Sequence, residues 1–284
     1  LGRQRSEWMR FASSNTYSKE GGFMPSVVDY EIKQQVAYLT LNRPEVLNAL
    51  NGEMVEALAG RLQQAQKEGA RAGVLMGQGR GFCSGADLAD LGQSMDPTHS
   101  VHVRTWVNRM HEVLLQLFEM EIPWVAAVNG PAVGVGCHFA LACDVVLMSQ
   151  AAYFYWAFTK RGLSVDGGGT WLLPHLVGLH RAKQLALLPE KMSAQAAQAL
   201  GLAAEVVAEG ELVQRAGQIA QRLAQGPTVA YGLTKTAMNR SLSHTFRESL
   251  AYEAQAQAVN VRTNDVMEGI RAFLEKRDPT FKGQ

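Results

Sequence analysis

A layered α/β core that gives way to a helical C-terminal region is the fold class predicted for this 284-residue chain, on three observations. Short runs rich in β-branched and aromatic residues alternate with amphipathic stretches, glycine-bearing turns follow several of those runs, and beyond about residue 193 only helical spacing remains. Residues 27–33 and 36–42 alternate as two short strands joined by a turn. Pro44 breaks the second strand, and Met54, Val55, Leu58, Leu62 and Ala65 then fall on one face of a helix that ends near Gly69. A buried strand over 73–76 comes next. The order recurs as helix 102–120, strand 124–128, a turn and short helix over 134–142, strand 145–149 and a helix near Trp171. Candidate helices over 213–224, 229–240, 245–261 and 265–276 complete the chain. The expected division is therefore a core over 25–210 and a C-terminal helical region over 211–284.

Residues 1–24 are set aside as a leader, since they mix Ser, Arg and Gly without a sustained apolar period. Three arginines there suggest a mitochondrial presequence, but Glu7 and Glu20 weaken it, and upstream sequence before a start at Met24 is the preferred reading. The remaining composition is that of a globular chain, 47% apolar and 19% charged. Its 27 basic and 26 acidic side chains give a net charge of +1, so neither nucleic acid nor an anionic membrane is expected as a partner. No unbroken apolar run reaches the roughly 18 to 20 residues of a membrane span, because the apolar stretch 122–141 is broken at Asn129, Gly130 and Pro131. Cys83, Cys137 and Cys143 are odd in number and lack zinc-ribbon spacing, which predicts free thiols in a reducing compartment, the cytoplasm before the mitochondrion. His99 and His102 are three apart with no flanking carboxylates, so no metal site is expected.

Three turns concentrate the chemistry. The first, GQGRGFCSGADL over 77–88, follows a strand but lacks the Gly-Lys-Ser/Thr of a phosphate loop. The second, NGPAVGVGCH over 129–138, follows a strand and opens a helix; its small residues let main-chain N–H groups approach a ligand. The third, GLSVDGGGT over 162–170, sets one carboxylate, Asp166, before three glycines and a helix. Taken singly, such turns are also plain loop geometry, and Asp166 is also a fair helix N-cap.

In this order and spacing they resemble the crotonase (enoyl-CoA hydratase/isomerase) superfamily. The resemblance is carried by LTLNRPEVLNAL (39–50), GRGFCSGADL (79–88), PWVAAVNGPAVGVGCHFALACDVV (123–146), GLSVDGGGTWLLP (162–174) and the tail GIRAFLEKRDPTFKG, and it covers nearly all of residues 27–284. It implies a superhelix of repeated ββα units, a C-terminal helical trimerisation region, and trimers or dimers of trimers. It also implies an acyl-CoA substrate that carries its own coenzyme A, with no separate cofactor. A thioester that gains enolate character needs two fixed N–H donors at its oxygen, which by motif position are those of Ala86 and Val135; losing one such donor costs on the order of 10²- to 10³-fold in rate. At Val135 many members carry Gly.

The family's hydratases use two glutamates to hold and deprotonate water, and those positions read His138 and Phe158 here. Asp166 instead stands where enoyl-CoA isomerases carry Glu and phenylacetate-pathway ring isomerases carry Asp. One carboxylate suffices for an isomerase, because the group that takes a proton from one carbon can return it two bonds away. An aspartate with a pKa of about 3.9 is a weak base at neutral pH, so the aromatic set Tyr153, Phe154, Tyr155, Trp156 and Phe158 is expected to dry the site and raise it. The expected activity is therefore an acyl-CoA isomerase, acting on a C=C bond or a ring epoxide, with His138 in a secondary acid–base role.

Other readings stay open: a hydratase, a hydrolytic enzyme in which Asp166 is a nucleophile and His111 a helper as in benzoyl-CoA dehalogenases, or a silent scaffold that binds CoA or RNA. The dehalogenase tryptophan aligns with Phe158, and Trp156 would keep that strand face only if the strand stays extended. By resemblance, Arg43, Val46, Leu47, Ser84 and Leu88 line the CoA moiety, Gly134 and Phe158 border the acyl group, and Phe281 and Lys282 reach a neighbouring subunit's CoA phosphates. The C-terminal Lys282-Gly283-Gln284 is no peroxisomal address.

Overall fold

The computed structural model describes residues 26–93 and 100–284; the expected leader, Met24 and His99 lie outside them. The chain opens with an antiparallel pair, β1 (Val28–Lys33) and β2 (Val36–Leu41), and then a 3₁₀ turn over Pro44–Val46. The helix α1 (Gly52–Lys67) starts where the Asn51 side chain accepts the Met54 N–H at 2.9 Å, and it buries Met54, Val55, Leu58, Leu62 and Ala65 as the spacing predicts. β3 (Ala72–Gly77) leads through the first glycine turn to α2 (Leu88–Gln93) and α3 (Ser100–Glu119).

Next come β4 (Trp124–Val128), β5 (Pro131–Val133), α4 (Val135–Leu141), β6 (Val145–Ser149), β7 (Tyr153–Tyr155), α5 (Gly169–Val177) and α6 (Leu179–Leu187). After them follow β8 (Met192–Ser193), α7 (Ala194–Ala199) and β9 (Glu205–Val207), and finally α8 (Leu212–Ala224), α9 (Thr228–Ser241), α10 (Phe246–Asn260) and α11 (Asn264–Glu275).

The main sheet runs β1-β2-β3-β4-β6-β9, parallel from β2 onward. β4 is buried along its whole length, as a central parallel strand covered on both faces must be. A second ladder stands beside it: the bridges Leu50–Ala86 and Cys83–Ala132 and the pair β5–β7 are all parallel, and β8 closes it antiparallel. Each turn of chain thus contributes one strand to the main sheet, one short segment to the second ladder, and a helix. This is the ββα repeat that the resemblance implies.

Two expectations change. The region beyond residue 193 is not wholly helical, because β9 lies there as the sixth strand of the main sheet. Strands of two or three residues are too short to show a period. The helix α8, expected to open a separate C-terminal region, packs Leu212, Ala216, Ala220 and Ala224 against Val74, Val125, Ala127 and Leu147, forming the layer on the sheet's second face. Among the described residues no helix is long and apolar enough to cross a membrane.

Candidate active site

Both principal glycine turns leave the carboxyl ends of parallel strands, β3 and β4, where open α/β sheets bind ligands. The first turn is held by a residue the sequence reading passed over. Asn48 is fully buried at φ 58°; its side chain accepts the Arg43 N–H at 2.9 Å and donates to the carbonyls of Gln78 (3.0 Å) and Gly81 (2.8 Å). Asparagine tolerates this left-handed backbone better than most side chains, and it satisfies three main-chain groups at once. Ser84 fastens the same two segments, its hydroxyl donating to the Val46 carbonyl at 2.9 Å and its N–H to that of Leu47 at 2.9 Å.

Gly85 has φ 93°, and a Cβ built there would lie 2.7 Å from the Val133 carbonyl oxygen and 3.8 Å from the Val135 nitrogen. Only glycine fits, and the fit sets Ala86 beside the start of α4. A Cβ on Gly136 would lie 2.3 Å from the Cys83 oxygen, so the two turns touch along their main chains. Gly134 precedes α4 at φ 56°, and Val135 is the helix's first residue. Among the described residues, the N–H groups of Ala86 and Val135 donate to no other group of the chain.

Asp166 approaches from the third turn. A Cβ on Gly167, at φ 56°, would come within 2.6 Å of Val135 Cγ2 and 3.3 Å of His138 Nδ1, which places the aspartate turn directly on α4. Asp166 Oδ1 is buried without a hydrogen-bond partner. Burial raises the carboxyl's pKa above its ordinary 3.8, and His111 opposes that rise.

His138 lies fully buried under this turn. Its Nε2 accepts the Trp156 indole N–H at 3.1 Å, so the ring proton sits on Nδ1, which makes no hydrogen bond. Desolvation pushes its pKa down to about 3, the main chain of Asp166 and then His111 acting as smaller influences of opposite sign. Phe158 stacks on it, ring centroids 5.7 Å apart and planes within 9°. A neutral ring locked on both sides has little scope for the secondary acid–base role expected of it; its contacts make it the floor of the Asp166 turn.

Asp166, Val135, His138, Gly134 and Phe158 are therefore brought into one patch that adjoins Ala86. Val46 and Leu88 are exposed near it, on the segments that Ser84 fastens. Arg43 is tied inward instead: its Nη1 donates to the Ala49 carbonyl (2.7 Å) and to Asp87 Oδ2 (3.0 Å), bracing the turn rather than reaching outward.

Phe281 and Lys282 are not brought to this patch. The Arg71 guanidinium donates to the Phe281 carbonyl at 3.3 Å, and Asp265 accepts the Lys282 and Gly283 N–H groups at 2.7 Å each. Arg71 precedes β3 whereas the glycine turn follows it, and six residues of strand at about 3.3 Å each put the tail about 20 Å away, at the sheet's other end.

The condition for a dehalogenase-type tryptophan also fails, because β7 ends at Tyr155 and Phe158 adopts helical dihedrals (φ −55°, ψ −57°). Trp156 and Phe158 both turn to His138 instead.

Sequence reasoning missed Asn48, the Trp156–His138 bond and the true partner of His111, whose Nε2 accepts the Gly167 N–H at 3.0 Å. None of these pairings has a local signal; each joins residues far apart in sequence.

The model of the enoyl-CoA hydratase/isomerase family matches residues 31–284. The chain is similar to a probable enoyl-CoA hydratase of Rhodobacter capsulatus, 43% identical over 258 residues that cover 90% of this chain and 98% of that protein. It is also similar to the 1,2-epoxyphenylacetyl-CoA isomerase of Escherichia coli K12, 41% identical over 256 residues and covering 89% and 97%. Among solved structures, an enoyl-CoA hydratase from Bacillus anthracis has a TM-score of 0.85 at 31% identity, covering 91% of this chain and 100% of that one.

Proposed function

Since the chain belongs to the enoyl-CoA hydratase/isomerase family of acyl-CoA enzymes, we propose that its own reaction is an isomerisation, with Asp166 as the single proton shuttle. The observation that carries this reading is the filling of the two positions where hydratases hold their glutamates. His138 is neutral and bonded to Trp156, and Phe158 is stacked on it, so neither can hold and deprotonate a water. Asp166, with a buried and unpartnered Oδ1, is the carboxylate left facing the oxyanion turns.

For a 3-enoyl thioester the step balances without water or cofactor. The carbonyl oxygen accepts the N–H groups of Ala86 and Val135, Asp166 takes a proton from C2, and the negative charge spreads over the dienolate onto that oxygen. The proton then returns from Asp166 to C4, which leaves the double bond between C2 and C3. Burial that raises the Asp166 pKa strengthens it as a base, and it also keeps competing water out. Coenzyme A is part of the substrate. The exposed Val46 and Leu88 beside the first turn are offered to its pantetheine arm. Exposed Phe246, Phe273 and Leu274 on α10 and α11 support self-association as a trimer or dimer of trimers.

A ring-epoxide acyl-CoA is the second substrate class, favoured by the similarity to the E. coli epoxide isomerase. The test is product mass. Purified protein is incubated with a 3-enoyl-CoA and, separately, with 1,2-epoxyphenylacetyl-CoA, and products are read by mass spectrometry. Consumption of either at unchanged mass supports isomerisation and says which class is used. A gain of one water overturns the reading in favour of hydratase or hydrolase chemistry, and tight CoA-ester binding without turnover favours a scaffold.

A further inference from the structure

We infer that His111 is a positioning residue that tethers the Asp166 turn and must be uncharged for turnover; this rests on the reading of Asp166 as the base. Among the described residues no group donates a hydrogen bond to the Asp166 carboxylate, so main-chain contacts must fix its place. One is internal to the turn, Gly169 N–H to the Asp166 carbonyl at 3.1 Å. The other comes from outside: the N–H of Gly167, the residue next to the base, donates to His111 Nε2 at 3.0 Å across to α3. On its opposite side Gly167 lies against Val135 and His138 of α4. The turn is thus held between two helices, and among the described residues one hydrogen bond ties it to α3.

That bond sets the charge state of His111. A ring nitrogen that accepts an N–H carries no proton, so the proton of the neutral ring is on Nδ1. A second proton would place N–H against N–H, release the turn, and add a positive charge beside Asp166 that weakens it as a base. The titratable groups facing His111 are Asp166 on the turn and His138 on α4, the latter kept neutral by burial. On its own helix, Arg109 is engaged by Glu112 at 3.0 Å and by Glu56 of α1 at 2.7 Å.

The test compares the parent chain with His111→Gln, His111→Leu and Asp166→Asn, measuring kcat and KM for the substrate class that turns over, across pH, with thermal unfolding alongside. Glutamine offers an oxygen acceptor near the position of Nε2 and does not titrate; leucine offers no acceptor. His111→Leu is expected to lose kcat by about 10²-fold, as for a base misplaced by about 1 Å, with KM little changed. His111→Gln, which keeps an acceptor for the Gly167 N–H, is expected to keep most of kcat at neutral pH with KM little changed. A His111→Leu variant with parental kcat, or a His111→Gln variant as impaired as the leucine one, would overturn the tether. If Asp166→Asn keeps turnover, the base reading itself fails, and the two failures are told apart.

Discussion

Gly169→Ala measures how rigidly the base turn is seated. A Cβ built at Gly169 lies 2.2 Å from His138 Cε1 and Nε2 and 2.7 Å from Val165 Cγ1. Comfortable contact between such atoms begins at about 3.5 Å, so about 1.3 Å must be found. His138 cannot supply it: the ring is fully buried, stacked on Phe158 and bonded to Trp156 at 3.1 Å. The displacement therefore falls on the turn that carries Asp166. Overpacking of this kind costs about 1–3 kcal/mol, and a shift of about 1 Å at a reacting group costs about 10²-fold in rate. The assay is a denaturant unfolding curve together with kcat, run as a double-mutant cycle with His138→Ala. Removing the ring opens the space, so in that background Gly169→Ala should cost little, a coupling of about 1–3 kcal/mol. Parental stability and turnover in Gly169→Ala, or an undiminished penalty in the His138→Ala background, would refute the claim that the imidazole is the floor of the turn.

Three further outcomes are expected. Asp166→Asn should lower kcat by on the order of 10²- to 10⁴-fold while the chain still binds CoA esters. Because burial raises the carboxyl's pKa, the ionised form costs stability above the folded-state value, and the cost vanishes as pH falls below the ordinary 3.8. The Asn variant should thus be the more stable at pH 7 and lose that advantage in acid, as urea unfolding at the two pH values will report. Gly60→Ala, at an exposed site inside α1 with nothing within 4 Å of the new methyl, should stabilise by about 0.5–1 kcal/mol and leave kcat unchanged. Cys83, Cys137 and Cys143 are all buried, with desolvation pushing Cys83 up to about 12 and the other two upward as well, so iodoacetamide should label none of them before unfolding. Labelling of the native chain would mean that this part of the core opens.

What was legible in the sequence follows the length of each signal. The helices α1, α3, α8 and α11 repeat an apolar spacing over three or more turns, and their ends, like those of α9 and α10, fall within a few residues of expectation. The strands β3, β4 and β6 are continuous apolar runs bounded by polar or glycine residues, and they too were readable. β5, β7, β8 and β9 have two to three residues each, too few for a period, and they exist because neighbouring strands offer them hydrogen bonds. At the site, Asp166, Gly134 and the turns around Ala86 and Val135 were visible as motifs, since glycines crowd where main chains touch. The state of His138 was not, because it depends on Trp156 and Phe158, which only the fold brings to it. Nor was the inward use of Arg43, which needs Asp87 on another turn. Phe281 and Lys282 were expected at a neighbouring subunit's CoA, and in this chain Arg71 and Asp265 hold their main chain at the far end of the sheet from the glycine turns.

The replacement of a carboxylate by His138 also bears on how Asp166 can serve as a base at all. Desolvation acts on Asp166 in two opposed ways: it raises the affinity of the ionised form for a substrate proton, and it lowers the fraction that is ionised to begin with. A second carboxylate at position 138, beneath the same turn, would repel the first, and the pair would share one proton, which deepens the second effect. A neutral, buried imidazole occupies the space without adding charge, and Trp156 fixes its tautomer with the proton on Nδ1. His111 then holds the turn from its other side by accepting the Gly167 N–H at 3.0 Å. The two histidines of the site thus divide the work between them, one supporting the turn as an uncharged floor and the other holding it from the side.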